Sequence, residues 1–483
     1  MTRTVATPAL QAPLSGIRPS IRLPVCFLVF TFLIGGGSRS DIISLPLLRG
    51  VAVFFAFWAA ARLDASDWRR IRAPLVLLVA VTLWLAVQLI PLPPFMWQSL
   101  PGREVVAAVD ALLGQSGIWR PISLTPSLTV NSLLGMSVPI AALLLAARMD
   151  PEDSSQFLTA IVAVACVSAV FGFLQILNGP ATSLYFYRIT NSDSMVGLFA
   201  NRNHHSLFLA CTVMIAAVLL RDEVMRKRKR RARISVLGVA VLFLTFATAF
   251  IGSRAGFAAG AVAFILGYLV VITTWNGVAS PRRHVQSGPA ITAHKLLKFA
   301  PPVLMAVSLA LTVWFSSRVT SISRVATDSI AGDLRALAWP TVREMIQIYW
   351  PAGSGVGSFA EVYQIYEPDA LLQPAYFNHA HNDWAEILIT GGLPLALILL
   401  LTFVWIGRRM WELGTRNFLK GYRGDYRLLA ATVLMILALG SLTDYPLRVP
   451  SLQVFAIMLI AMVFCPRLAR QRGYEVADAY QPR

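Results

Sequence analysis

Residues 377–392 read Phe-Asn-His-Ala-His-Asn-Asp-Trp-Ala-Glu-Ile-Leu-Ile-Thr-Gly-Gly. His379, His381, Asn382, Asp383 and Glu386 therefore crowd the threshold of an apolar run. Polar groups at the edge of hydrocarbon are costly unless paired or wetted, so their presence there points to a site. An imidazole titrates near neutral pH, so the two histidines are candidates for chemistry. A metal site built from both histidines and Asp383 lacks a cysteine or carboxylate array to complete it. Asp383, with Glu386 three residues on, also has the form of a helix N-cap and its capping-box partner.

Three further sets of residues invite chemistry. Arg254 lies in Ile-Gly-Ser-Arg-Ala-Gly-Phe, between two apolar runs with almost no loop between them. An arginine so placed needs an anionic partner or a headgroup. Arg335, with Trp339 four residues on, stands in a segment that also holds Arg318, Arg324 and Arg343. The planar guanidinium fork matches phosphate oxygens, which suits a diphosphate ligand. The last set is Gly197-Leu-Phe-Ala-Asn201-Arg-Asn203-His204-His205, whose asparagines either cap a helix or face a cavity. Gly353-Ser-Gly-Val-Gly-Ser358 lacks the lysine of a phosphate-binding P-loop and reads as a turn.

The elements that must position these residues are membrane spans. The chain has 483 residues, 56% hydrophobic and only 14% charged, against about 25% charged in an ordinary soluble domain. Apolar runs of spanning length recur throughout and predict an all-α polytopic membrane protein of about 12 transmembrane helices. The expected spans are 23–37, 45–61, 73–92, 128–147, 156–177, 204–220, 234–251, 255–274, 299–316, 386–406, 428–445 and 451–465. They form one transmembrane domain, 23–465, between cytoplasmic tails at 1–22 and 466–483. The densest basic run, Arg226–Arg233, lies between two spans and serves as a cytoplasmic anchor against anionic membrane lipid. The net charge of +18 thus implies a membrane surface and no nucleic acid. Cys26, Cys166, Cys211 and Cys465 all fall in apolar runs and read as small buried hydrophobes.

With both termini inside, every basic cluster falls on one face. The outer face then holds 93–127, with Trp97 and Trp119 suited to the interface, 178–203, the tight turn 252–254, and the long loop 317–385. A loop of about 70 residues without internal structure is unusual, so a partly helical cap is expected. Residues 333–349 carry helical apolar spacing that supports it. All four sets of polar residues lie on this outer face. No internal repeat emerges and the spans are nearly free of ionisable groups, which disfavours a polysaccharide or lipid transporter.

In this order, the sets resemble the O-antigen ligase and O-antigen polymerase family of bacterial inner-membrane proteins. The matching pieces are Gly197-x-Phe199-x-Asn201-x-Asn203, Ser253-Arg254-Ala-Gly256 and Arg335-x-x-x-Trp339. They continue with Gly353-x-Gly355-x-Gly357-x-Phe359 and His381-Asn382 ahead of Gly391-Gly392. The chain departs from the pattern at Arg202, where the family often has proline, and at Ala255. The resemblance implies transfer of a glycan from an undecaprenyl-diphosphate carrier to an acceptor, either lipid A-core or a growing polysaccharide. The active site would face the periplasm, with no cofactor and no metal. By position, His381 would be the catalytic base and Arg254 and Arg335 would hold the diphosphate. Asn382, Asp383, Asn201, Asn203 and His379 would support them. Ligase and polymerase share these motifs, and the ligase reading is the one favoured.

Overall fold

A computed structural model describes residues 19–149, 153–226, 230–278, 324–372, 377–417 and 426–464. Among them the chain is all-α, and its one strand-like pairing is an isolated bridge between Leu92 and Arg120. The first seven helices are α1 Pro19–Ile34, α2 Leu45–Ala60, α3 Ala65–Val87, α4 Pro94–Trp97, α5 Glu104–Leu112, α6 Pro126–Gly135 and α7 Ser137–Ala146. They are followed by α8 Ser154–Asn178, α9 Arg202–Val224, α10 Arg231–Phe250 and α11 Arg254–Val278. Then come α12 Arg324–Tyr349, α13 Phe359–Tyr366, α14 Asp383–Asn417, α15 Arg427–Gly440 and α16 Pro450–Phe464.

Every expected span except 299–316 overlaps helix, 128–147 being divided between α6 and α7. The 299–316 span, Arg318, residues 1–18 and the C-terminal tail lie outside the described residues, while residues 19–22 of the expected N-terminal tail open α1. Among the described residues, five stretches are long and apolar enough to cross a membrane by length and composition. They are Ala65–Val87, Pro126–Ala146, Ser154–Asn178, Arg231–Phe250 and Asp383–Glu412, and shorter apolar helices accompany them. Two helices end or begin away from the expected span bounds, for physical reasons. The helix holding the third expected span starts at Ala65 because Asp64 accepts from the backbone amides of Ser66 and Asp67, closing a capping box. The helix holding the eleventh ends at Gly440, because residues 441–449 turn back through a short 3₁₀ segment, Pro446–Arg448, before Pro450 opens α16.

The larger apolar core runs through α1, α2, α7, α8, α9, α15 and α16. A smaller one lies under a cap. Ala338, Val342, Met345 and Tyr349 of α12 pack with Phe359, Val362 and Tyr363 of α13 and with Ala385 and Ile389 of α14. The cap is thus partly helical, as its length suggested. Its glycine stretch is indeed a turn. The Ser354 amide donates to the Ile389 carbonyl at 2.9 Å and that of Gly355 to the Thr390 carbonyl at 3.0 Å. Gln88, at the end of α3, ties the same joint, donating to the Thr390 carbonyl and accepting from the Val356 amide. Arg103, fully buried, donates to the carbonyls of Pro101, Ile122 and Gly353. Burial lowers its pKa to about 10.

α14 is broken at Gly392, whose φ of 62° no ordinary side chain favours. A Cβ there would lie 2.2 Å from the Pro351 carbonyl oxygen. The glycine pair at 391–392 is therefore where the cap's turn and the span come into backbone contact. Two expectations about single residues are corrected. Trp97 is buried rather than interfacial, with its indole N–H donating to the Ile118 carbonyl, while Trp119 is exposed. Of the cysteines, Cys211 is buried, Cys166 half-buried and Cys26 exposed on the protein's outer surface; Cys465 lies outside the described residues.

Candidate functional site

Three stretches distant in the sequence meet at one end of the bundle. They are Asn201–His205 at the start of α9, residues 377–386 leading into α14, and Ser441–Arg448 between α15 and α16. Each is set by a local rule. Asn201 is the N-cap of α9, with extended backbone, and its side chain accepts from the Asn203 amide at 2.8 Å. That bond turns Asn203 and His204 inward on the first turn of the helix.

The helix N-cap ahead of α14 is Asn382, whose Oδ1 accepts from the amides of Trp384 and Ala385 at 3.0 and 3.1 Å. This corrects the assignment of the cap to Asp383. Asp383 is freed for tertiary work: its amide donates to the Ser441 carbonyl, and Oδ2 accepts from the Leu447 amide at 3.0 Å. Glu386 does not bond the cap residue's amide either. It accepts from the Ala380 amide at 3.0 Å and faces His379 Nδ1 at 3.0 and 3.2 Å. Arg448 neutralises both carboxylates, at 3.5 Å from each. Two acids buried almost completely demand such a cation.

At the centre stands Asp444. Its Oδ2 accepts from Asn203 Nδ2 at 2.6 Å and its Oδ1 from the Tyr445 amide at 3.0 Å. His381 Nδ1 lies 3.3 Å from Oδ1, and His204 Nε2 3.7 Å from it. Burial raises the Asp444 pKa, but the adjoining His204 and His381 rings outweigh it and hold the carboxyl well below its usual range. His381 goes the other way: burial lowers its pKa, with Arg335 and His379 adding to the effect and Asp444 opposing it. Both directions favour an ionised carboxylate beside a neutral imidazole. With the Nδ1 proton donated to Asp444, Nε2 is the ring nitrogen left to accept a proton from an incoming hydroxyl.

His381 is also the one non-glycine residue with positive φ, 50°, among the described residues. Such a conformation costs on the order of 1–3 kcal/mol and is held only by its surroundings. It sends two histidines, separated by a single alanine, to different carboxylates: His379 to Glu386 and His381 to Asp444. The Tyr445 ring lies among three imidazoles, with centroids 4.4 Å from His379 and 4.9 Å from both His381 and His204. Asn201 Nδ2 reaches the Tyr445 hydroxyl at 3.5 Å.

Of the two expected arginines, Arg335 is half-buried on α12 and its guanidinium reaches the Thr443 carbonyl, next to Asp444, at 3.5 Å. Arg254 is the first residue of α11; its side chain lies outside the described residues. The backbone nonetheless brings that helix start to this corner. Gly256 presses so closely on Ser206 of α9 that a Cβ would fall 2.0 Å from the serine Oγ. His205 is buried and turned away, with Nδ1 2.9 Å from the Met195 carbonyl oxygen. It braces the 191–200 loop, where Gly197 (φ 56°) has no room for a side chain.

Sequence reasoning missed Asp444, Tyr445 and Arg448 by running the eleventh span through to residue 445, and it gave His204 no part. The signal was there: Ser441-Leu-Thr-Asp-Tyr-Pro-Leu-Arg-Val-Pro450 puts an acid inside the expected end of the span and an arginine between two prolines just after it. The assembled groups offer a proton acceptor, an oriented anion behind it and a guanidinium beside it. Residues 239–400 match the protein family described as O-antigen ligase. That stretch contains Arg254, Arg335, Trp339 and His381, but not the Asn201–His205 and Asp444–Arg448 segments that complete the corner. No curated protein matches the chain.

Proposed function

We propose that this chain, a multi-pass membrane protein and a member of the O-antigen ligase family through residues 239–400, transfers a glycan from an undecaprenyl-diphosphate carrier to an acceptor hydroxyl at the periplasmic face. The match over residues 239–400 supports a part in surface polysaccharide biosynthesis as an O-antigen ligase- or polymerase-like protein. The observation that carries the finer reading is the His381–Asp444 pair, held by Asn203 and the Tyr445 amide beside Arg335.

In the proposed step the acceptor hydroxyl loses its proton to His381 Nε2. Its oxygen bonds to the anomeric carbon of the carrier-linked sugar. The bond from that carbon to the diphosphate oxygen breaks, and the electron pair leaves with the diphosphate. Asp444 keeps the imidazole in the tautomer that exposes a basic Nε2 and stabilises the imidazolium that forms. Arg335, and Arg254 at the start of α11, offset the charge that develops on the leaving group. The ligase and polymerase readings share this chemistry and differ only in the acceptor, lipid A-core or a growing chain. The ligase reading is kept as the first.

The test is His381→Ala in cells lacking the native gene, with membrane insertion checked by immunoblot. Surface polymer is expected to be lost while carrier-linked glycan accumulates, as long chains for a ligase or single repeats for a polymerase. Normal polymer at normal expression removes His381 from the mechanism.

A further inference from the structure

The cap helix α12 has two faces. Ala338, Val342, Met345 and Tyr349 are buried against α13 and α14, which fixes the helix in rotation. The opposite side carries Trp339, Pro340, Arg343, Glu344 and Gln347, which line a groove of about 330 Å³. Trp339 is 45% exposed, a large aromatic surface left outside the core although an apolar face is available one residue away. Arg335, Trp339, Arg343 and Gln347 recur every four residues and so form one ridge of the helix. At 1.5 Å per residue the ridge runs about 18 Å, starting from the arginine that touches Thr443 beside Asp444.

We propose that this ridge is a saccharide-binding subsite that carries the glycan substrate outward from the reacting end. The inference rests on the glycan-transfer reading above and adds where the sugar chain lies. Aromatic faces stack against the C–H faces of sugar rings, and Trp339 supplies one. Sugar hydroxyls both donate and accept: Arg343 donates, Glu344 accepts and Gln347 does both. All five lining residues belong to α12, so the groove is an open surface along one helix, suited to a short stretch of a longer chain lying across it. The mixture of charges argues against the other natural occupant, an anionic lipid headgroup. Such a headgroup would meet the Glu344 carboxylate as well as Arg343. The continuity of the ridge with Arg335 argues for a ligand that is also bound at the reacting end.

The experiment uses the full chain in lipid nanodiscs and oligosaccharides released from the surface polysaccharide of the cells that carry it. Binding is measured by calorimetry. Trp339→Ala is expected to weaken binding about tenfold, equivalent to about 1.4 kcal/mol, Trp339→Phe to retain most of it, and Gln347→Ala to weaken it a few-fold. Unchanged affinity in both Trp339→Ala and Gln347→Ala overturns the subsite. So does quenching of Trp339 fluorescence by brominated phosphatidylglycerol, identified by its disappearance in Trp339→Phe, because lipid would then fill the groove. His381→Ala separates the two proposals. Transfer lost with oligosaccharide binding kept supports both. Transfer kept refutes the glycosyl-transfer step, and the calorimetry with the Trp339 variants still decides the subsite.

Discussion

Asp444→Asn is the substitution that tests the site most directly. The side chain keeps its shape but loses its charge, and one of its two acceptors becomes a donor. Two arrangements are open to it. The amide NH₂ either faces His381 and the Tyr445 amide, or faces Asn203, which must then flip its own amide to present an oxygen. In the first, His381 Nδ1 must accept, its proton moves to Nε2 and the base is lost. In the second, the tautomer survives but the charge-assisted bond does not. A hydrogen bond to a charged group contributes about 1.5–3 kcal/mol, or about 10- to 10²-fold at 1.36 kcal/mol per tenfold. General-base catalysis as a whole contributes about 10²–10⁴-fold. The expected fall in kcat is therefore at least about tenfold and as much as about 10⁴-fold, with KM for the carrier-linked glycan little changed.

The assay is transfer by purified protein from carrier-linked glycan, followed across pH. Burial lowers the His381 pKa and the Asp444 carboxylate raises it. Removing the carboxylate therefore shifts any residual activity's acid limb to lower pH. The wild-type limb itself should lie below the ordinary imidazole value, because neutral His381 is the active form. A variant of unchanged melting temperature whose kcat stays within about threefold of wild type refutes the assignment of Asp444. An acid limb moving to higher pH refutes the electrostatic account.

Two predictions concern the frame. Arg448→Ala leaves the buried carboxylates of Asp383 and Glu386 without their shared cation, and the expected destabilisation is about 3–5 kcal/mol; a thermal melt in detergent with an unshifted midpoint would contradict it. Gly392→Ala places a methyl 2.2 Å from the Pro351 carbonyl oxygen at a φ of 62°. Conformational strain alone is expected to cost on the order of 1–3 kcal/mol, read as a lower melting temperature and faster proteolysis within the cap, whereas equal stability would mean that the joint between turn and span is loose.

Apolar runs gave away the long helices, five of them of crossing length among the described residues, because a stretch of hydrophobic side chains that long has few alternatives. The cap was legible from loop length together with the apolar spacing of 333–349. His381 stood out because an ionisable residue at a span's edge has to be accounted for. Asp444 did not, since a single acid near the end of Leu-Met-Ile-Leu-Ala-Leu-Gly is easily absorbed into the span. The apparent capping box at Asp383 and Glu386 failed for a related reason. Spacing cannot tell which of two adjacent residues, Asn382 or Asp383, has the extended backbone of an N-cap, nor that Arg448, more than sixty residues on, competes for both acids.

The separation of the two histidines depends on this competition. Both rings contact Tyr445, and each has a carboxylate within 3.3 Å, so sequence offers little to choose between them. Their partners differ. Glu386 is also faced by Arg448 and the Ala380 amide, so its charge is already largely offset when His379 reaches it. Asp444 is approached, among the described residues, by neutral amides and imidazoles alone. Its negative charge faces His204 and His381, and a proton arriving on His381 meets an anion with which no arginine among the described side chains forms an ion pair. The same proton on His379 would gain less, because it would sit beside a carboxylate in direct contact with the Arg448 guanidinium, whereas Arg335 approaches only the Thr443 carbonyl next to Asp444. The φ of 50° at His381 therefore directs that ring to the carboxylate best able to stabilise its protonated form, which is the property a general base needs at the moment it takes the proton.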